Sequence, residues 1–259
     1  MERTRVSQIK IIIATHKAYD MPAAPMYLPL QVGSAISEAL PYTQDNSGPN
    51  ISDKNRSFCE LTGLYWAWMN LDAEYIGLCH YRRYFAGRRF GRRRKRILTE
   101  AEAQQLLLQK DVILPKMRHS WIETNYSQYI HAHHRQDLDK TRQILSEMYP
   151  DYLPAYDAVM QKTSGHRFNM LIMRRDILNA YCGWLFDVLF QLEARLDISQ
   201  YDAVSRRVFG YVGERLLDIW METNHIPYAE LPVVNMERQH WLRKGSRFLI
   251  RKWKGMREQ

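Results

Sequence analysis

Residues 77–85 read GLCHYRRYF, so His80, Tyr81, Arg82 and Arg83 stand directly behind the apolar run Tyr75-Ile76-Gly77-Leu78-Cys79. A β-strand needs no cations at its end, and a histidine with two arginines placed there asks for an anion. In extended chain His80 and Arg82 point to one side and Tyr81 and Arg83 to the other. One arginine can then reach a ligand while the other supports it. Arginine forks hold phosphate oxygens in bidentate fashion, and lysine supplies a point charge. A second cationic end, Thr15-His16-Lys17, closes the apolar run IKIIIAT. Ligands of open α/β sheets collect at the carboxyl ends of strands, and a diphosphate suits these two ends.

The elements that must position these groups follow from the apolar pattern. IKIIIAT and Tyr75 to Cys79 read as buried strands. Residues 18–50, rich in Pro, Gly, Asn and Asp, read as one long loop. Ser52 is a candidate N-cap for an amphipathic helix over 53–70, with Phe58, Leu61, Tyr65 and Trp68 at helical spacing. After an arginine-rich loop, Thr99-x-x-Glu102 is a capping box opening a helix to residue 109. DVILP is a short strand, helical patterns run through 124–162, and RFNMLIM is a further strand. Ile177, Tyr181, Trp184, Val188, Leu192 and Leu196 fall in phase on a long helix. A last helix spans 200–222, and PYAELPVV is a final extended segment. Strands alternating with helices predict an α/β fold, a mostly parallel central sheet flanked by helices.

Composition sets bounds on function. The 259 residues are 46% hydrophobic, 12% aromatic and 25% charged, enough for one sizeable core in a globular chain. No stretch reaches the roughly 18 apolar residues of a membrane-spanning helix. The apolar run near the N-terminus is too short for a signal peptide. Cys59, Cys79 and Cys182 stand far apart, which implies reduced thiols and a cytoplasmic setting. The net charge is +9, and residues 82–96 alone carry nine basic residues and no acid. Such blocks favour polyanions; Arg88 to Arg96 reads as a solvated basic loop. Neither a P-loop, a GxGxxG nor a GxSxG occurs. His131, His133 and His134 lack metalloprotease and Cys-His zinc spacing, and no nucleic-acid recognition motif is present.

Several stretches, taken in order over residues 8–235, resemble a bacterial family of glycosyltransferases of capsular polysaccharide and O-antigen assembly. They are THK, NISDKNRSFCELTGLYWAW, IGLCHYRRYF, FNMLIM, YCGWLF and RVFGYVGERL. The family was long catalogued as a domain of unknown function. The resemblance implies a GT-A-like nucleotide-sugar-binding fold over residues 1–237. It also implies transfer of a hexose, with galactofuranose first by analogy, from a UDP-sugar to a polyprenyl-diphosphate-linked glycan. Typical GT-A enzymes carry a metal-binding Asp-x-Asp after such a strand; here His80-Tyr81-Arg82 fills that slot. We therefore expect no divalent metal and no cofactor beyond the UDP-sugar substrate, with fixed cations neutralising the leaving UDP.

Under the same resemblance, Thr15, His16, Lys17, Asn50, Ser52, Asp53, Asn55, Tyr81, Arg82 and Arg83 are candidate donor contacts. His80 and Arg82 also count as catalytic candidates. Inverting transfer needs a base for the acceptor hydroxyl, and Glu214 in YVGERLL is the first candidate, beside two glycines that leave room for a ligand. Its alternative is a surface Glu paired with Arg215. Glu60, Trp66, Asn169 and Arg215 are candidate acceptor contacts, Glu60 doubling as second candidate base and Trp66 as a sugar-stacking ring. The tail 238–259, written as a helix from His240 to Met256, interleaves Trp241, Leu242, Phe248, Leu249, Ile250 and Trp253 with basic residues. It predicts peripheral attachment to the anionic inner face of the cytoplasmic membrane. Nucleic-acid binding through the 82–96 arginines and an inactive scaffold are the competing readings; the resemblance implies no nucleic acid partner.

Overall fold

The computed structural model describes residues 8–237. The first half of the chain contains β1 (Ile9–Thr15), β2 (Tyr27–Gln31), β3 (Thr43–Gln44), α1 (Asn55–Phe58), α2 (Leu61–Asn70), β4 (Tyr75–His80), β5 (Arg83–Phe85), α3 (Glu100–Leu107), β6 (Val112–Pro115) and β7 (Arg118–His119). The second contains α4 (Asn125–Ile130), α5 (Arg135–Met148), α6 (Leu153–Gln161), β8 (Ser164–Gly165), β9 (Leu171–Arg174), α7 (Arg175–Arg195), α8 (Val208–Thr223), β10 (Ala229–Leu231) and β11 (Val233–Asn235). The main sheet runs β10-β6-β9-β4-β1-β2-β3. Along that path β9 is antiparallel to β4 and β6, and the other neighbours pair parallel. The mostly parallel sheet with flanking helices expected from the sequence is what the chain forms.

Both faces of the sheet are covered, which is why β1 and β4 read as unbroken apolar runs. Ile12, Ala14, Ile76 and Leu78 pack with α2, α5, α7 and α8. Ile11, Ile13, Tyr75 and Cys79 pack on the other side with Ala103 and Leu107 of α3. The predicted capping box is formed: Thr99 accepts from the Glu102 amide, and Glu102 returns the bond to the Thr99 amide at 2.9 Å.

Several boundaries differ from the sequence reading. The 18–50 loop contains β2 and β3; Pro29 sits inside β2, and prolines around it mask the strand signal. The helix expected over 53–70 is broken at Cys59, whose φ of 54° is left-handed and cannot continue a right-handed helix. Ser52 does not cap it, because the Ser52 hydroxyl turns inward to Asp45. The arginine-rich stretch begins as a strand, since Arg83–Phe85 pair with β11. The last helix starts at Val208, eight residues after Gln200, because residues 201–207 form a turn ending in a 3-10 segment at Ser205–Arg207. Pro232 splits PYAELPVV into β10, parallel to β6, and β11, antiparallel to β5. The expected amphipathic tail lies outside the described residues. Among the described residues no helix is long and apolar enough to cross a membrane.

Candidate functional site

The parallel register of β1 and β4 sets Ala14 beside His80, so the two strands deliver His16 and Tyr81 to Arg83 to one place. The chain then turns tightly, with His80 opposite Arg83. The buried Tyr81 ring organises the turn. It meets His16 edge-on at 5.3 Å and Tyr19 at 5.0 Å. Lys17 Nζ lies 5.3 Å and the Arg82 guanidinium 4.8 Å from its centroid. These cations therefore ride on an aromatic face. Burial first, then the charges of Arg82 and Lys17, hold the His16 imidazole below its ordinary pKa.

A cleft of about 750 Å³ opens over these strand ends. Its opposite wall comes from α8 and the turn before it, where Arg207, Tyr211 and Glu214 share one face at i, i+4 and i+7. Arg207 donates from Nε to Cys59 Sγ at 3.1 Å, and its guanidinium lies 5.5 Å from the Tyr211 centroid. Burial, with Glu60 next, pushes the Cys59 thiol up to about 11. The break at Cys59 also presents Glu60 to the cleft, where its carboxylate accepts from Asn169 Nδ2 at 2.7 Å. Arg83 points inward. Its guanidinium stacks 4.4 Å from the Phe168 centroid, and burial followed by the Arg82 charge lowers its pKa while Glu60 and Glu214 oppose. His80 Nε2 donates to the Phe168 carbonyl at 2.6 Å.

A second cleft of about 610 Å³ shares Phe168, Tyr211 and Glu214 with the first. Trp121, 97% exposed, and Ile122, 70% exposed, form its apolar lip. Arg118 lies 5.5 Å from the Phe168 centroid. Arg167 donates to Asn125 Oδ1 at 2.6 Å and to the His166 carbonyl at 2.8 Å. Arg215 donates to the Tyr211 carbonyl at 2.8 Å and stands 4.9 Å over the Tyr129 ring. His133 stacks on Tyr211 at 4.3 Å; burial, then Arg215, pushes its pKa down to about 4.

Glu214 stands between the two clefts. Its side chain is 16% exposed, one oxygen accepts the Phe168 amide at 2.8 Å, and the other lies 3.5 Å from Arg215. Burial raises its pKa; Arg215 and Arg167 pull against that rise and Glu60 adds to it. A carboxylate kept more basic than usual in a partly dry site is suited to taking a proton. Five buried side-chain polar atoms among the described residues have no partner: Arg83 Nε, His133 Nδ1, Asn169 Oδ1, Arg215 Nε and Trp184 Nε1. The first four belong to residues that line the clefts or brace their walls.

Of the residues singled out in the sequence, the first cleft brings together His16, Asn55, Glu60, His80, Tyr81, Arg82, Arg83 and Glu214. Arg215 lines the second cleft, and Asn169 stands behind the wall, bonded to Glu60 and to the Gly210 carbonyl. Thr15 is buried and bonds back to the Lys17 carbonyl and amide. Ser52 is wholly buried in a network in which Asp45 also accepts from Thr62 and from the Gly33 amide. Asn50 bonds to Gly48 and to the Ser52 amide, and Asp53 is exposed; neither lines the first or the second cleft. Trp66 is core, 6% exposed with its indole N–H on Ser47, so it offers no stacking face. Gly213 leaves no room for a ligand: an added Cβ there would lie 2.8 Å from Leu61 Cδ1, so this glycine serves close packing of α8.

His131, His133 and His134 diverge, onto Glu123, Tyr211 and Tyr201 respectively. Among the described residues no three His, Cys, Asp or Glu side chains converge as metal ligands. The carboxylates lining the first cleft are Glu60 and Glu214, faced by Arg82, Arg83, Arg206 and Arg207, with His16 and His80 in the same lining. Sequence reasoning missed Phe168, Arg207 and Tyr211, although the i, i+4, i+7 spacing of Arg207, Tyr211 and Glu214 was a usable signal. It also missed Arg118, Trp121 and Arg167, and weighed His133 only as a metal ligand; these residues come from segments with no common pattern.

Residues 10–225 match the model of the family described as a domain of unknown function, DUF4422. Among solved structures, the chain is similar to one described as the WbbM bifunctional glycosyltransferase in its apo form. The identity is 29%, with a TM-score of 0.84, over 90% of this chain and 46% of that one. The chain thus shares a glycosyltransferase fold and spans about half the length of that structure. No curated protein matches.

Proposed function

The chain belongs to the DUF4422 family, and on that premise we propose that it is a glycosyltransferase moving a hexose from a UDP-sugar to a lipid-linked oligosaccharide of capsule or O-antigen assembly. The observation that carries the reading is the position of Glu214: a partly buried carboxylate of raised pKa at the wall shared by two clefts. Likeness to a glycosyltransferase structure supports the same reading.

In this reading the UDP-sugar occupies the first cleft, with its diphosphate toward Arg83, Arg82 and Arg207. The acceptor enters the second cleft, its sugar against Trp121. Glu214 takes the proton of the attacking hydroxyl, the new glycosidic bond forms with inversion, and UDP departs with its charge met by the fixed guanidinium groups. The transfer is metal-independent, because arginine forks do the neutralising. Galactofuranose is the first sugar to test, on family analogy. The test incubates the full chain with a panel of UDP-hexoses and a polyprenyl-diphosphate-linked oligosaccharide, with product read by mass spectrometry. The reading predicts a mass gain of one hexose from one donor. UDP binding without transfer to any acceptor supports an inactive scaffold instead. Salt-sensitive DNA binding without UDP binding supports a nucleic-acid-binding protein.

A further inference from the structure

Residues 88–96 carry seven cations and no acid, and every one of the nine is exposed. The segment is a built projection. Ala86 bridges to Ile97 at its base. The Gly87 amide donates to the Arg96 carbonyl at 2.8 Å and the Leu98 amide to the Phe85 carbonyl at 2.9 Å. At the head, Phe90 is 96% exposed, and Gly91 follows with φ 113°, a left-handed reversal that a side chain would resist. Two bonds tie the loop to the rim of the first cleft. Arg93 donates to the Met236 carbonyl at 3.0 Å, and the Met236 amide donates to the Arg82 carbonyl at 2.8 Å. On the other flank Arg94 pairs with Asp20 and donates to the Met21 carbonyl at 3.0 Å. Among the described residues, the side chains of Arg92, Lys95 and Arg96 make no hydrogen bond or ion pair.

We propose that this loop docks the protein on an anionic bilayer, Phe90 entering the interface and the cations facing lipid phosphates. An anionic membrane surface offers what the loop lacks: counter-charges for the collar of arginines and an apolar layer for one aromatic ring. Single-stranded nucleic acid is gripped by aromatic side chains in series on a basic track, and this loop has one aromatic at its tip. Because the loop hangs from the cleft's rim, docking brings that rim to the headgroup layer. The surface stands apart from the sugar-transfer reading and from the tail, and its test reads the loop alone.

Cys59, Cys79 and Cys182 are all buried, so a Phe90→Cys variant of the full chain takes an environment-sensitive fluorophore at position 90. The labelled protein is mixed with vesicles of phosphatidylcholine alone, with vesicles containing phosphatidylglycerol, and with single-stranded and duplex DNA. The proposal predicts a blue-shifted, brighter emission on the phosphatidylglycerol vesicles and none on neutral ones. It also predicts that Arg92→Ser/Lys95→Ser/Arg96→Ser lowers vesicle affinity on the order of 100-fold, each cation near the surface being worth about fivefold. Unchanged emission from protein that sediments with the vesicles overturns it, since another surface then binds. No sedimentation, or a response to DNA but not to phosphatidylglycerol, overturns it as well.

Discussion

Replacing Arg83 by alanine tests the cationic cleft at one side chain. Arg83 is half-buried, its Nε has no partner, and its charge is set against burial and against Arg82. The fold thus carries this cation at a cost, which a departing diphosphate would recover under the proposed function. Losing one preorganised donor aimed at developing charge costs about 2.7–4 kcal/mol, roughly 10²–10³ in kcat. Against this, the stacking on Phe168 at 4.4 Å is worth about 0.5–1 kcal/mol to the fold, and removal of a disfavoured buried charge offsets part of it. The variant should therefore lose transfer by two to three orders of magnitude with a melting temperature near that of the wild type. Arg82 is 38% exposed and shared with Glu237, so Arg82→Ala should lose less. Arg142, on α5 and paired with Asp157, should be neutral. Steady-state UDP release with the lipid-linked acceptor in detergent, beside thermal unfolding, reads all three. Small and equal losses at Arg83 and Arg82, or a loss at Arg142 matching Arg83, would refute the reasoning.

Three further outcomes are expected. Glu214→Gln should reduce transfer by on the order of 10²–10⁴ while UDP binding stays intact. In the wild type, kcat/KM should fall with acid through a pKa above the ordinary carboxylate range, a limb the variant lacks. Wild-type turnover in the variant moves the role to Glu60 or indicates a retaining mechanism. For His133 the unfolded chain binds its proton near 6.5 and the folded chain only near 4. The fold should thus lose stability as pH falls from 6.5 toward 4, by about 1–2 kcal/mol after allowing for partial exposure. His133→Phe, which keeps the stacking, should show a smaller drop in melting temperature over that range. Gly213→Ala should destabilise by about 1–3 kcal/mol in denaturant titration, because its Cβ would sit 2.8 Å from Leu61 Cδ1; an unchanged midpoint would show that α8 can shift away.

The strand ends of the site were legible because β1 and β4 are buried on both faces. Their apolar runs stop where polar chemistry starts, at Thr15 and at His80. The capping box at Thr99 and the phase of α7 were legible for the same local reason. What escaped depends on partners distant in sequence. Nothing around Pro29 announces a strand until β1 supplies its neighbour at register Ile13–Pro29. The left-handed Cys59, which turns Glu60 into the cleft, has a composition like any helix interior. Ser52 has the right type and place for an N-cap; the buried Asp45, seven residues earlier, takes its hydroxyl instead. The second cleft draws on the segment 118–123, on α4 and its exit, on Arg167 and on α8, and only the fold brings these together.

The most direct measurement is calorimetric titration of UDP into the full chain in buffer containing EDTA, for the wild type and for Arg83→Ala. The account predicts saturable one-site binding to the wild type without added metal, and binding on the order of tenfold or more weaker in the variant, as for the loss of a charge-assisted bond. Binding that appears only after manganese is added, or that is equal in both proteins, would contradict it.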